Sequence, residues 1–513
     1  MPNYAVLPFL FIVTPRREVF KPPGTSEDGS PHRLYPCKHW EGAQNMKRLL
    51  VMNTALLTAS SLLMSVIGMA FQSWLAGRIG AAGIGLYQLV LSVTNLCATF
   101  AISGIRFAST RLVAEELGLN RPGGVRAAMV RCLSYGAVFG CAAAVLLWKL
   151  SEPIGFLWIG DARTVGPLRI SALSMPCIAL CASMSGYFTA CGRVWKPTLV
   201  HLLEQLCAIA LVALFLRQVP GGSLEKSCAA VTLGRAAADG VSLLMMASFY
   251  LLDRRGHYRG ENPDGHLTSR MLGIAVPLAL SACARSALTT AQHLLVPRGL
   301  KAAGYSANTA LSGYGIIQGM VLPVILFPAC VLSAAAELIV PALTAAQVQA
   351  DSRAIRQTAG RLLKLSALYS LAVALFLFVC SDALGMLLYD SRPAGRYIRI
   401  LAPLVPVMYL DMSVDGCLKG LGQQVWCMAV NIADGLLGLL LTWQLLPRYA
   451  LTAFLGILCA TELVNFSLSL GRLVRIMRPL SPSAASDGAR PRGEGWAKCA
   501  YTGGRSAESR SRP

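Results

Sequence analysis

From about residue 46 to about residue 475 the chain alternates between apolar runs of roughly 20 residues and short polar breaks. A helix rises about 1.5 Å per residue, so a run of that length crosses the hydrocarbon of a bilayer. Twelve such runs are predicted, at about 49–76, 85–110, 125–148, 166–190, 198–216, 228–252, 271–296, 312–340, 355–380, 397–418, 424–446 and 450–471. The pattern predicts an all-α polytopic membrane protein. One short signature recurs: "GIGLYQL" (83–89) and "GYGIIQG" (313–319) both carry G-x-G-x-x-Q. The sixth position is Gln88 or Gln318 and an apolar helix-length run precedes it, which argues against a dinucleotide fingerprint; a duplication fits better.

Sliding the sequence by 230 positions tests the duplication. "VRAAMVRCLSYGAVFG" (125–140) then lies on "IRQTAGRLLKLSALYS" (355–370), with Arg126 on Arg356 and Arg131 on Arg361. The same ungapped shift lays 168–192 on 398–422 and superposes Arg169/Arg399, Ile170/Ile400, Ala172/Ala402, Pro176/Pro406, Ser183/Ser413, Gly186/Gly416 and Gly192/Gly422. Shared hydrophobicity does not hold one register through loops as well as helices. The chain therefore reads as two homologous six-helix lobes, each entering the bilayer in the same sense and related by an axis along the membrane normal. A central cleft between the lobes follows, exposed to either side in turn as they rock. The glycine motif is expected at the turn from the first to the second helix of each lobe, giving positive φ and close packing.

Composition sharpens the picture. Of 513 residues 55% are hydrophobic and 14% charged, against roughly 25% charged in a soluble domain, and the mean hydropathy is +0.55. The net charge of +21 gathers in alternate loops, as in "RRGHYRG" (254–260), "RAIRQTAGRLLK" (353–364) and "GRLVRIMR" (471–478). That bias points to a cytoplasmic (inner) membrane with both termini cytoplasmic, and it removes the reason to invoke nucleic acid. The expected organisation is an extension at 1–45, read as a misassigned start or a disordered tail, lobes at 46–255 and 256–478, and a basic disordered tail at 479–513. Sixteen cysteines and six histidines form no C-x-x-C or H-x-x-x-H pair, so no metal site is expected; the nearest pair, Cys177 and Cys181, reads as packing.

The stretch 53–118 resembles the opening of the stage V sporulation protein B type of polysaccharide-biosynthesis membrane protein. The resemblance rests on Arg78-Ile79-Gly80, Gly83, Gly85-Leu86-Tyr87-Gln88-Leu89, Ser103-Gly104-Ile105 and Arg111-Leu112-Val113-Ala114-Glu115-Glu116. Where that family carries Ser before the terminal Arg, Thr110 stands here. The superfamily also holds lipid-linked oligosaccharide flippases, lipid II flippases and multidrug and toxin extrusion antiporters. The resemblance implies a two-lobe transporter of twelve to fourteen spans acting on a polyprenyl-diphosphate-linked sugar, with spore cortex peptidoglycan as its sporulation setting. No G-x-x-x-x-G-K-[ST] occurs, so the expected energy source is an ion gradient, the membrane potential or consumption of the substrate on the far side.

Ionisable side chains within spans are costly and each calls for a partner or a role. The candidates are Arg106, Glu204, Arg235, Asp239, Arg285, Glu337, Asp411, Asp415, Asp434 and Glu462. Arg285, among small residues in the seventh span, is assigned to the substrate diphosphate, with pairing to a carboxylate as the structural alternative. Arg106 is a second substrate contact or a snorkelling side chain. Arg235 and Asp239 stand one turn apart and read as a neutralising pair. Asp411 and Asp415 share that spacing with like charge, as a holder for a proton or a sodium ion would. Glu204 and Asp434 coincide under the 230 shift and read as a paired gate or as twin helix-end contacts.

The leading function is therefore a flippase that moves a lipid-linked oligosaccharide or peptidoglycan precursor by alternating access. Its partners are the lipid-linked glycan, membrane lipids and a coupling proton or sodium ion. The alternative is a cation-coupled multidrug antiporter, kept open by Asp411, Asp415, Asp434 and Glu462, and a non-transporting scaffold is the third reading. No nucleophile and base with recognisable spacing occurs, so no enzyme, cofactor or catalytic residue is assigned.

Overall fold

The computed structural model describes residues 43–119, 122–219, 223–254, 267–349 and 351–477. The lobe boundary at 255/256, the tail at 479–513 and all but the last three residues of the 1–45 extension lie outside the described residues. Sixteen α-helices follow one another, and no strand occurs among the described residues. The first lobe holds α1 (Ala43–Ile102), α2 (Ile105–Gly118), α3 (Pro122–Pro153), α4 (Val165–Ala172), α5 (Ser174–Ala190), α6 (Trp195–Arg217) and α7 (Leu224–Arg254). The second holds α8 (Leu267–Ala302), α9 (Ala307–Gly315), α10 (Leu322–Leu326), α11 (Ala329–Val348), α12 (Ser352–Val379), α13 (Ser381–Tyr389), α14 (Arg392–Leu401), α15 (Val405–Gly420) and α16 (Gln424–Met477).

Nine stretches of helix among the described residues are long and apolar enough to cross a membrane. Two of them are double. The 60 residues of α1 would reach about 90 Å if straight, three times the hydrocarbon thickness, but the helix breaks at Gly80 (φ 70°). Gln72 on one side of the break and Ile84 and Gln88 on the other all lie against Gly319, so the chain doubles back there. In α16 the break is at Ala450 (φ 50°), and residues before and after it, Leu441 and Ala460 among them, line one groove. Two double crossings, seven single ones and the bent pair of α4 and α5, turned by 41°, give the twelve spans of a two-lobe fold.

The 230 shift holds in three dimensions. Gly192 and Gly422 end their helices with φ of 71° and 70°. In each lobe the next amide reaches back over the cap, Arg193 N to Phe188 O and Gln423 N to Leu418 O, both at 2.9 Å. This left-handed cap requires φ > 0 and so favours glycine.

The glycine motif corrects one expectation. The turns between first and second helices lie at Gly80 and at 303–306, whereas Gly83, Gly85, Gly313 and Gly315 are inside helices. What the motif provides is close approach. Gly85 and Gly315, equivalent under the shift, lie against each other where α1 crosses α9. A methyl group on Gly85 would overlap the carbonyl oxygen of Leu311, and one on Gly315 would overlap that of Ala81. Ala81 and Leu311 are themselves 230 apart, so the contact is reciprocal and the pseudo-twofold axis passes through it.

Within the second motif and just past it the helix widens into a π-turn over 316–321. Pro323 lacks an N–H, which leaves the Gly319 carbonyl without its usual helical donor. Gln72 Nε2 of the first lobe supplies one at 3.0 Å.

Candidate functional site

Polar contacts join the lobes in layers, starting at the end of the molecule that carries the motif. At that end Arg163 Nη1 donates to Asn308 Oδ1 at 3.1 Å and Lys301 Nζ to Gly160 O at 2.9 Å. Next comes the Gly85/Gly315 crossing. Deeper still, the Thr290 hydroxyl donates to Ser92 O at 3.1 Å, while His293 Nδ1 lies 2.8 Å from Ser92 Oγ and 3.2 Å from Tyr314 Oη. Through these layers the lobes are in contact.

Arg285 lies immediately past them along α8, more than one turn before the buried Thr290. It is exposed and makes no ion pair among the described residues, so the alternative of pairing with a neighbouring carboxylate is not realised there. Helical spacing puts it on the same stripe as Thr289, Gln292 and Val296, and the last two line a cavity of about 210 Å³. A second exposed stripe of α8, with Leu280 and Ala284, is apolar and suits lipid. Nearer the start of α8 the lobes meet again, where Gly104 closes on the Ala275 carbonyl and Arg270 pairs with Glu115, so along the helix the exposed guanidinium lies between two sets of inter-lobe contacts.

Arg106 is half-buried one turn after the left-handed break at Ser103 and Gly104 (φ 40° and 69°). Its carbonyl accepts from Ser109 and Thr110, and its guanidinium makes no ion pair among the described residues.

The cavity lies within the second lobe and is lined by Gln292, His293, Gln318, Asp434, Thr461 and Glu462, with apolar residues behind them. Asp434 Oδ1 is buried without a hydrogen-bond partner. One turn before Glu462's neighbour Asn465 the helix faces α15, where Asn465 Nδ2 donates to Asp411 Oδ2 at 3.0 Å and Asp411 Oδ1 is again unpartnered. The charges of Glu462, Asp415 and Asp434 act on Asp411, opposed by that of Lys419, and Asp434 acts on Glu462. Asp415 pairs with Lys419 at 2.5 Å, and both of these charges also act on Asp411.

In the first lobe the equivalent helices hold a different balance. Glu204 accepts from Ser242 Oγ at 2.9 Å and lies 3.6 Å from His201 Nδ1, with the positive charge of Arg235 acting on both Glu204 and Asp239. Glu204 and Asp434 each turn into their own lobe, so the paired-gate arrangement is not formed. The position equivalent to Arg235 is Asn465: the first lobe carries its own cation among its acids, and the second carries an amide. The side chain of Glu337 lies outside the described residues.

The charge-based search of the sequence did not single out Gln72, Gln292 or His293. Their signal is weaker, an amide or imidazole inside an apolar run, and it becomes visible only when such residues are held to the same cost argument as charges.

Comparison with known proteins agrees with this architecture. The profile of the MatE family matches residues 57–214 and 300–444, one segment in each lobe. Stage V sporulation protein B of Bacillus subtilis (strain 168) is 22% identical over 419 residues, covering 81% of this chain and 80% of that protein. A probable multidrug resistance protein NorM of Caulobacter vibrioides is 24% identical over 199 residues, 37% of this chain and 40% of that one. Among solved structures, an inward-facing multidrug resistance MATE family transporter of the MOP superfamily superposes with a TM-score of 0.61 at 15% identity, covering 80% of this chain and 95% of that one.

Proposed function

The chain belongs to the MatE family of membrane transporters, and from that premise we propose that it moves an amphipathic, polyprenyl-diphosphate-linked glycan across the cytoplasmic membrane. We read both termini as cytoplasmic from the loop charges, and on that reading the motif end is the outer one. The likeness to stage V sporulation protein B supports a cell-envelope precursor as cargo, and the chain acts as a transporter rather than an enzyme.

The observation that carries this reading is Arg285, an exposed guanidinium without an ion pair among the described residues, halfway along a membrane span. An arginine in that position is expensive unless an anion or water meets it, and its planar fork matches two diphosphate oxygens at once. Arg106 stands on the first lobe as the second contact. The sugars follow the diphosphate through the cleft while the prenyl tail stays in lipid.

The second-lobe acids supply the coupling. Asp434 and Glu462 have no ion pair among the described residues, and the Lys419 charge that reaches Asp411 is already paired with Asp415; buried carboxylates short of partners are costly unless a proton or cation joins them. The same acids favour the second reading, a cation-coupled drug antiporter, because a cationic ligand would be held by them.

The test uses protein in liposomes carrying a fluorescent polyprenyl-diphosphate sugar, with outer-leaflet label destroyed by an impermeant quencher. Loss of the protected label that depends on Arg285, and disappears in Arg285→Ala, is the expected result. Proton-driven uptake of a cationic dye without lipid movement would replace the flippase with the antiporter.

A further inference from the structure

We infer that the Gly85/Gly315 crossing is the outer gate, a backbone-to-backbone seal on the pseudo-twofold axis that the inter-lobe bond from Gln72 to Gly319 O latches shut. This rests on two lobes that rock and not on which substrate they carry. Three observations converge on it. Both glycines are the only side chain their sites admit, because any Cβ would overlap the opposing backbone, so the two helices touch more closely than side-chain packing allows. Secondly, the contact pairs a residue with its own duplicate, so it lies on the axis that relates the lobes, where rocking separates or closes the helices symmetrically. Thirdly, the latch is built from a carbonyl that Pro323 has released, and its donor comes from the other lobe.

The opposite end is joined differently, between non-equivalent helices: a methyl group on Gly104 would overlap the Ala275 carbonyl oxygen of α8, and Arg270 pairs with Glu115. There α2 packs on α3, α5 and α8, and its counterpart α11 on α12, α15 and α1, so at this end the lobes meet through α2 with α8 and α11 with α1 rather than through a residue and its own duplicate. The second motif copy differs from the first in one respect that matters for motion. Its π-turn at 316–321 is a local irregularity of the kind that accompanies functional bending, whereas Gln88 sits in regular α-helix. Span eight is therefore the partner that yields when the gate opens, and the loss of the Gln72 bond exposes a carbonyl that water then satisfies.

Amide hydrogen exchange of the full chain in nanodiscs tests the gate without any substrate. Gly85→Leu is expected to raise exchange over 81–92 and 307–320 at least about tenfold and to lower it over 105–118 and 335–348, because opening one end closes the other. Gln72→Leu, which keeps the packing and removes only the latch, is expected to shift both pairs in the same directions by about fivefold, the size of one hydrogen bond. Gly77→Ala, whose added methyl meets open space, is expected to match the parent. Exchange rising at both ends together, in Gly85→Leu or in Gln72→Leu, would mean loosened packing and overturn the gate; so would unchanged exchange in Gln72→Leu. Failure here leaves the lipid-transport reading standing, and failure of lipid transport leaves the gate standing.

Discussion

Arg169 and Arg399, 230 residues apart, make the same set of bonds. Arg169 Nε donates to Ser151 Oγ at 3.1 Å and Arg399 Nε to Ser381 Oγ at 3.0 Å. Each guanidinium also reaches the next residue in the chain, Glu152 or Asp382. Each serine hydroxyl in turn donates to the carbonyl three residues before it, Trp148 or Phe378. The two serines are fully buried while the acids are largely exposed, so the serine bonds outweigh the ion pairs. Ser151→Ala and Ser381→Ala are each expected to lower stability by about 1 kcal/mol. Thermal unfolding in detergent checks this, and a response confined to one lobe would show that the symmetry of bonding is not one of energy.

Arg285→Ala should leave the unfolding temperature within error of the parent, since the side chain pairs with nothing among the described residues and surface-like changes cost under about 0.5 kcal/mol. Transport of the diphosphate lipid is expected to fall by tenfold or more, and Arg285→Lys to recover part of it, because a lysine keeps the charge but loses the two-point fork. A marked drop in stability for Arg285→Ala would assign the residue to the fold instead.

Much of this was legible in the sequence because it depends on repetition and cost. Span count followed from the length of apolar runs, and the lobes from a register that Arg169/Arg399 and Gly192/Gly422 keep through loops. Partnerships across the duplication were not legible. The motif glycines read as turn residues because sequence places them near the end of a span, but their role is set by a neighbour 230 positions away. Asp411 and Asp415 do act on each other as their spacing suggests, but spacing between the acids did not show that Lys419, one turn further on, pairs with Asp415. Glu204 and Asp434 coincide in register, yet Arg235 in one lobe and Asn465 in the other give them different surroundings.

Ala450 reverses α16 with φ 50° and ψ −133°, a conformation in which a Cβ is strained and glycine is not. Ala450→Gly is expected to raise stability by about 1 kcal/mol despite the extra freedom it gives the unfolded chain. The check is the unfolding midpoint in detergent; a lower midpoint would show that packing of the methyl group outweighs the strain.

Asp161 lies at the motif end, outside the spans, and accepts from Arg163 N at 3.1 Å and Nε at 2.9 Å. Burial pushes its carboxyl up, but the hydrogen bonds and charge of Arg163, with Lys301 nearby, outweigh that and hold it below the ordinary value of 3.8. A depressed folded-state value stabilises the fold above the unfolded value and loses that contribution as pH falls through the lower, folded one. The difference in melting between the parent and Asp161→Asn is therefore expected to be the same at pH 7 and pH 5 and to shrink only below about pH 4. A difference that disappears between pH 7 and pH 5 would contradict the placement of Arg163.

The second-lobe acids separate coupling from cargo binding. Asp434 and Glu462 line the cavity beside His293, and Asp411 reaches the same helix through Asn465. Replacing a carboxylate by its amide keeps shape and hydrogen bonding but removes the group that takes up a cation. Asp434→Asn and Glu462→Gln are expected to abolish the response of transport to an imposed proton gradient, with at most a few-fold change in binding of the lipid, because the proposed diphosphate contact is Arg285 and not the cavity. Putting the missing cation back makes the sharper test: Asn465→Arg gives the second lobe the charge balance that Arg235 gives the first, and it should remove gradient dependence while leaving all three acids in place. If Asn465→Arg transports with undiminished gradient dependence, these carboxylates are not the coupling site.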